Sequence, residues 1–422
     1  MLDTFYTTIL TAAVGVVTIL ILAYLCPRTT GRPRGCRKLG VDPAQSNLLD
    51  EYDPRYSHGV PEGQDSNGQA AWRIKSLFTY PIKSCGGVEL DTTDVVPTGL
   101  AYDRQFCFAE YDVPRAGTDV KPHWTARTLR DRRFNRMALV RPEIWVPDVT
   151  VEGYSEELEE VKSQGVMVIS FPRVVPNGHL LAPLLKIGMA LGIIPREHLF
   201  WVPLFPPPNR TASYPSVPVK IWKDSPVAYD YGQHLPQSLH DYLGSGSSTQ
   251  VTLFRVDAGH HREIFRCAPR KEDVGFQTVT GFADAYPIHL LNLASVQDVA
   301  GRCSADIPKL SIRRFRANII IQGPAAFEED HWKRIRVACA SPEGTQAAPV
   351  DIFTVCRTVR CRLPNVDPDT GVRHPSEPDR TLKSYRKIDP GDLTNSCLGM
   401  QLVPAVQRRL FITSFSPCIL HS

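Results

Sequence analysis

The chain has 422 residues, 42% of them hydrophobic and 22% charged, with a formal net charge of +4. That composition excludes a disordered chain, and so small a basic excess, with no stripe of cations interleaved with aromatics, gives no case for nucleic-acid binding. The length is enough for two domains with a core each. The 36 prolines predict many loops and short helices. The 11 cysteines are scattered and form no CxxC pair, and the nearest spacing, Cys356 with Cys361, lacks a second pair. The pattern argues against a zinc or iron–sulfur site and suits a reducing compartment.

In chain order, "FYTTILTAAVGVVTILILAYLC", Phe5 to Cys26, is an uncharged apolar run of roughly 22 residues, long enough to cross a bilayer. A cleaved signal peptide starts basic; here Asp3 precedes the run and Arg28, Arg32, Arg34, Arg37 and Lys38 follow it. By the positive-inside rule the body faces the cytosol. Residues 1–38 are therefore expected to be a transmembrane anchor with a basic flank. Residues 39–70 are polar, carry Pro and Gly and have no period, which predicts a flexible tether.

From Trp72, Ile74, Ser76 and Phe78 alternate with Lys75, Leu77 and Thr79 in a half-buried strand, and Gly86–Gly87 allow a tight turn. "GLAYDRQFCFAEYD" and "RMALVRPEIWV" read as further strands, with a loop from Val113 to Phe134 between them. Another proline-rich loop spans Pro203 to Val219. "VKIWKD" and "VAYDYG" alternate like a hairpin, and "LPQSLHDYLG" is a short helix started by Pro236 and stopped by Gly244. "SGSSTQ" reads as an inter-domain link. "VTLFRV" and "ANIIIQG" are apolar strands, "NLASVQDVAG" a helix capped by Asn292, and "DIFTVCRTVRCRLP" the longest strand. The expected fold class is mainly β with helical inserts (α+β), as barrel or sandwich-like domains. GxGxxG and GxxxxGK[ST] loops are absent from the sequence.

Three groups of residues bear chemistry. Cys361 lies between Arg360 and Arg362, and nearby cations favour a thiolate. Strand alternation aims both arginines at the opposite face, so their field acts weakly. The thiolate serves as a soft metal ligand or a nucleophile; the plainer reading is a core thiol. His374 follows in a loop, with no sign that it folds back as a base. In "YPIKSC", Lys83 and Ser84 end a strand before two glycines, where backbone amides and a lysine suit a phosphate, or where the strand end is simply solvated. In "RRFRANIII", Arg316 and Asn318 share a side by alternation, and converging arginines suit an anionic cofactor.

Together, "SLFTYPIKSCGGVEL", "GLAYDRQFCF", "FRANIIIQG", "RCRLPNVDPDTG" and "TLKSYR" resemble, in this order, the MOSC-domain proteins, a family named for the C-terminal domain of molybdenum cofactor sulfurases. Within it the similarity is to the mitochondrial amidoxime-reducing components, which also carry an N-terminal anchor. The resemblance covers Trp72 to Val403. It implies a MOSC N-terminal β-barrel domain over 71–244, a MOSC β-barrel domain over 245–407 and an atypical tail over 408–422. A molybdenum–molybdopterin cofactor would lie in the cleft between the domains. By resemblance Cys361 is the catalytic molybdenum ligand, and Lys83, Ser84, Arg104, Arg316, Asn318 and Arg360 bind the cofactor. Arg127, with Thr125, matches a weaker element near the cleft.

The implied activity is reduction of N-hydroxylated compounds, with electrons from cytochrome b5 and NADH-cytochrome b5 reductase, at the outer mitochondrial membrane or the endoplasmic reticulum. The rivals are sulfur transfer to the cofactor and a membrane-bound cofactor carrier. MOSC sulfurases carry a pyridoxal-phosphate desulfurase domain ahead of the MOSC domain, for which an anchor and a tether leave no room. Three departures stand out: Ala285–Tyr286 replaces a small hydroxyl pair before Pro287, Gln401 stands where relatives carry tyrosine, and the family's closing Gly-x-hydrophobic-x-Val-Gly-Asp strand is missing. Without that strand an apolar edge stays open. Either "RRLFITSFSPCILHS" improvises it, or the reading frame is wrong after Gln407 and the chain is unstable or inactive; the second is the expectation.

Overall fold

The computed structural model describes residues 31–64, 70–114, 121–175, 182–244, 250–340, 346–405, 410–414 and 416–421, together with 6, 14, 15, 18, 68, 117 and 119. The expected anchor lies outside these apart from Tyr6, Val14, Gly15 and Thr18. Among the described residues no helix is long and apolar enough to cross a membrane.

Two β bodies carry the fold. The first is a closed five-stranded barrel, in the order Ser216–Lys220, Val227–Asp230, Val251–Val256, Phe106–Asp112 and His123–Ala126. It closes where Val219 and Lys220 pair in parallel with Trp124 and Thr125. The expected loop from Val113 to Phe134 thus contains a barrel strand, His123–Ala126, and the start of a 3-10 helix, Arg132–Leu139. A four-residue strand, "HWTA", is too short for periodicity to reveal it. Beside the barrel lies a four-stranded antiparallel sheet of Cys36–Lys38, Arg141–Pro147, Val166–Pro172 and Glu197–Pro203.

The second body is an eight-stranded sheet ordered Cys418–His421, Arg334–Ala340, Gln346–Val359, Cys397–Pro404, Ile288–Asn292, Ile319–Gln322, Arg73–Thr79 and Val88–Leu90. A three-stranded sheet of Leu410–Thr413, Thr92–Val96 and Gly99–Leu100 accompanies it. Ile74, Leu90, Leu290, Ile335, Ile352, Leu402 and Ile412 share one buried cluster. One core fed by strands from both ends of the sheet means that the sheet curls around it. The only parallel pair in that sheet, Ile288–Asn292 with Ile319–Gln322, is bridged by the helix Leu293–Arg302.

The chain does not divide at residue 245. Val251–Val256, beyond the expected link, returns to the first barrel between Val227–Asp230 and Phe106–Asp112. Arg73–Thr79, read as part of the first domain, pairs in the large sheet instead. Strand pairing decides this, and the sequence around a link carries no record of it. Residues 245–249 lie outside the described residues.

The tether expected over 39–70 is, where described, a strap that runs from the four-stranded sheet onto the second body. The amides of Leu39 and Val41 donate to Ile144 O (2.8 Å) and Glu89 O (2.9 Å). Glu51 is buried and its carboxylate accepts the Ile312 amide at 2.9 Å. Leu48 is buried as well. Under the strap, Arg73–Thr79 is buried on both faces, where a half-buried strand was expected. Lys75, on the face expected to meet water, bonds Tyr56 Oη (2.9 Å) and Asp50 (2.8 Å) of the strap. Ser76 donates to Glu89 at 2.7 Å. A strap held by single hydrogen bonds needs no apolar period, so the sequence reads as linker.

The expected closing defect is filled by the tail. Leu410–Thr413 pairs with Thr92–Val96, and Cys418–His421 pairs with Arg334–Ala340. Ile412 is fully buried, and Ser416 O accepts the Ile74 amide at 3.0 Å.

Asn292 caps the helix Leu293–Arg302 as expected, its side chain accepting the Ala294 amide at 3.2 Å. Its Nδ2 donates to Glu329 (3.3 Å), whose other oxygen takes Ser295 Oγ at 2.7 Å. Burial pushes the Glu329 carboxyl up to about 7. The folded protein therefore holds a proton that the unfolded chain loses above about 4.5, and stability falls as pH rises between those values. The expected loss is roughly 3 kcal/mol at most, and Glu329→Gln flattens the slope in urea melts taken from pH 4.5 to 8.

Candidate functional site

The stretch "YPIKS" is the crossing from one body to the other. Arg73–Thr79 belongs to the large sheet, and immediately after it the Lys83 amide donates to Phe106 O (2.8 Å) on the barrel. The Phe106 and Arg104 amides return bonds to Pro81 O (3.0 Å) and Tyr80 O (2.8 Å). Ser84 sits at φ +67°, buried at the turn. The backbone amides expected to grip a phosphate are largely spent: those of Lys83, Cys85 and Gly86 bond Phe106, Ile82 and Val140 carbonyls. What remains for a ligand is side-chain chemistry. The Ser84 oxygen accepts the Leu129 amide at 3.2 Å, which leaves its proton to donate. Lys83 Nζ donates to Phe282 O (3.0 Å) and pairs with Asp284.

Arg316 does not lie on a strand beside Asn318, as alternation predicts. It ends the 3-10 turn Ile312–Phe315 in the left-handed region at φ +56°, which redirects its side chain. Its guanidinium stands 4.2 Å from the Tyr80 ring centre and donates through Nη1 to Cys85 O. Arg104, also left-handed at φ +48°, stands 5.0 Å from the same ring. It bonds Asp103 (2.5 Å), Asn318 Oδ1 (3.0 Å) and Arg316 O (3.1 Å). Asn318 is fully engaged: Nδ2 reaches Phe78 O and Asp103, and Oδ1 accepts Arg104 and the His289 amide. It is a hub that fixes Arg104, with no amide proton left over for a cofactor.

The strand Gln346–Val359 stops before Arg360, so alternation does not govern the residues around Cys361. Arg360 turns inward and is buried, with its amide held by Ser396 O at 2.8 Å. Its Nη2 donates to Phe315 O (3.1 Å), and Nη1 lies 3.4 Å from His289 Nε2. Burial, then the Arg360 charge, holds the His289 imidazole well below its ordinary range, so it is the neutral acceptor. Arg362 turns outward to Asp379 at 3.2 Å. Cys361 is half-buried between them. Arg373 ties the following loop back to Arg362 O (2.8 Å) and to Asn135 (3.0 Å) on the first body. The loop is framed by Arg314 on Asp367 (2.6 Å) and by a two-pronged Arg313–Asp369 pair. His374 Nδ1 accepts the Ser376 and Glu377 amides at 3.3 and 2.8 Å, a role in the loop and not as a base for Cys361.

Arg127 stands apart from these groups. Its guanidinium is taken up by Glu110 (2.7 Å) and Asp112 of its own barrel. Thr125 Oγ1 is buried with no partner.

The assembled cluster is strongly cationic. Lys83, Arg104, Arg130, Arg316 and Arg360 face two carboxylates, Asp103 and Asp284, and those carboxylates were not singled out in the sequence. Asp103 was legible beside Arg104; nothing in "FADAYP" marks Asp284. Burial pulls the Arg316 and Arg360 guanidinium groups down to about 10. Arg316 Nη2 and Arg360 Nε are buried without a hydrogen-bond partner. An anion at these orphaned donors would repay the desolvation. A cavity of about 550 Å³ adjoins Arg316 and is lined also by Tyr80, Gly86, Gly87, Leu129 and Leu363; Arg360, Lys83 and Cys361 are not in its lining.

The cationic cluster draws on both bodies, and Cys361 follows Arg360 in the chain. Residues 71–165 match the MOSC N-terminal beta barrel domain, and residues 277–400 match the MOSC domain. Among curated relatives, mitochondrial amidoxime reducing component 2 of Bos taurus is 37% identical over 325 residues, 77% of this chain and 75% of that protein. Mitochondrial amidoxime-reducing component 1 of Danio rerio is 37% identical over 172 residues, 40% of this chain and 47% of that protein. A molybdenum cofactor sulfurase of Aspergillus terreus is 32% identical over 402 residues, 85% of this chain and 43% of the sulfurase. The chain belongs to the MOSC-domain family of the mitochondrial amidoxime-reducing components.

Proposed function

We propose that this protein is a molybdenum-cofactor-dependent oxidoreductase that reduces N-hydroxylated compounds such as amidoximes. The observation that carries the reading is the pair of buried, unpartnered donors on Arg316 and Arg360, the latter next to Cys361 in the chain. A molybdopterin presents an anionic phosphate and a metal that takes soft sulfur ligands, and the donor set fits both demands. Cys361 would hold the metal; Lys83, Ser84, Arg104, Arg316 and Arg360 would hold the pterin and its phosphate. When bound, the cofactor supplies two-electron reduction of the N–O bond. The chain's own residues position it: Asn318 fixes Arg104, His289 receives Arg360, and Arg373 steadies the loop after Cys361. Asp284 pairs with Lys83, and a bound phosphate would compete with it for that ammonium.

Electrons would come from cytochrome b5 and its NADH-dependent reductase, with residues 5–26 anchoring the protein at the outer mitochondrial membrane. The test is benzamidoxime turnover by purified protein supplied with NADH, the reductase and cytochrome b5, alongside its molybdenum content. Metal with turnover is the expected result. Metal without turnover favours the carrier reading, and sulfuration of a desulfo-cofactor without benzamidoxime reduction favours sulfur transfer.

Arg316→Gln removes one charge-assisted contact, worth about 1.5–3 kcal/mol. Cofactor retention through gel filtration should weaken by about 10- to 100-fold, with the circular dichroism spectrum unchanged.

A further inference from the structure

The strands Val166–Pro172 and Glu197–Pro203 pair as a hairpin, joined by an excursion that the cofactor cluster does not use. Between Arg173 and Arg196 its only Asp, Glu, Lys or Arg is Lys186. The helix Ala182–Ala190 lies in it, free of charge apart from Lys186, yet only Gly188 of its nine residues is buried. Ile194, from the same excursion, fills the space a side chain at 188 would need. Ile187 and Leu191 are 51% and 69% exposed, and Val174, at the start of the excursion, 48%. A helix this apolar ordinarily sits inside a protein core or against lipid, and the two bodies leave this one uncovered.

The helix is tied to one end of the four-stranded sheet. The Arg173 amide donates to Arg196 O (2.8 Å), and Arg196 Nε donates to Met189 O (3.3 Å). Along the strand that follows, Phe200 and Val202 turn into the core, so Glu197, Leu199 and Trp201 share the outer face. The N-terminal chain meets the body on that face: a Cβ on Gly31 would stand 3.9 Å from the Trp201 ring. From Gly31 back to Cys26, the end of the apolar run, is five residue steps, a reach of at most about 17 Å. From Trp201 to Glu197 at the foot of the helix is about 13 Å along the strand. A membrane that holds residues 5–26 is therefore within reach of the helix.

We infer that the helix Ala182–Ala190, with Val174, Leu191 and Leu199 around it, docks on the bilayer, lying in the plane of the headgroup boundary and fixing which side of the body faces the membrane. The inference rests on the anchor reading of residues 5–26 given above and not on the reaction. Contact in the plane of the interface does not require a helix long enough to span. The charges suit an anionic lipid surface: from Ser163 to Pro203 the hairpin carries three cations, Arg173, Lys186 and Arg196, against one acid, Glu197.

The test is photolabelling of the full chain, reconstituted in vesicles of phosphatidylcholine and phosphatidylserine that contain a lipid with a diazirine near the headgroup end of its acyl chain. Tryptic peptides are then read by mass spectrometry. Label on the peptide Ile187–Arg196 as well as on residues 5–26 is the expected result. Ile187→Glu combined with Leu191→Glu should cut the label on the first several-fold and leave the second unchanged. Both positions are exposed, so the circular dichroism spectrum should match the parent's. Label on residues 5–26 alone would overturn the inference and leave the anchor standing, and label on neither would overturn both. Label on Ile187–Arg196 alone would support the docking helix and overturn the anchor. A dimer in detergent that the double substitution dissolves, with no lipid label on the helix, would assign the surface to a second copy of the chain and overturn the inference.

Discussion

Cys361→Ala is expected to lose both molybdenum and N–O bond cleavage. Loss of a residue that merely orients a metal ligand already costs about 10- to 100-fold, so loss of the sulfur ligand itself should leave under about 1% of turnover. Fold stability should hardly change, because the thiol is half-buried beyond the end of its strand and takes no part in the hydrophobic core of the second body. Cys361→Ser should retain part of the metal, since an oxygen replaces the sulfur in the same place but binds a soft site less well. Metal analysis and benzamidoxime reduction, run side by side, check this. Unchanged metal and unchanged turnover in the alanine variant would remove the basis of the proposed function.

The second large effect concerns the tail. Truncation after Gln407 removes both partner strands, Leu410–Thr413 and Cys418–His421, and bares the edges of Thr92–Val96 and Arg334–Ala340. Bare edges are templates for aggregation, so the truncated chain should be recovered mainly as insoluble protein. In the full chain Ile412→Ala should cost about 2–5 kcal/mol, the range for a buried isoleucine whose cavity relaxes only partly. Ile412→Val should cost about 0.5–1.5 kcal/mol. Urea midpoints for the two variants decide it. Equal midpoints for Ile412→Ala and the parent, with normal solubility of the truncation, would mean that the tail is not part of the core.

Signals that live within a few adjacent residues read through directly. The helix Gln237–Leu243 stops at Gly244 in the left-handed region, as its sequence predicts. The Asn292 cap is likewise local, whereas the hairpin reads through only in part: its first strand, Ser216–Lys220, falls mostly within the expected loop Pro203–Val219, and Ile221–Asp224 forms its turn. Arg360 was legible as a neighbour of Cys361, but its direction was not. Alternation sends it outward, whereas the strand ends at Val359 and the side chain turns in to Phe315 O and His289.

Sequence by itself determined the β-rich class, the short helices, the motif residues Lys83, Arg316 and Cys361, and the departures at Tyr286 and in the tail. Each rests on patterns of neighbours, whose geometry is set by backbone chemistry within one element. Only the tertiary structure decided that residues 39–64 form a strap, that Val251–Val256 rejoins the first barrel, and that Asp284 faces Lys83. It also separated Arg127, bound to Glu110 and Asp112, from the cleft it was expected to join. Those outcomes depend on which strands pair and which charges are desolvated together. Such contacts span tens to hundreds of residues, and local propensity carries no trace of them.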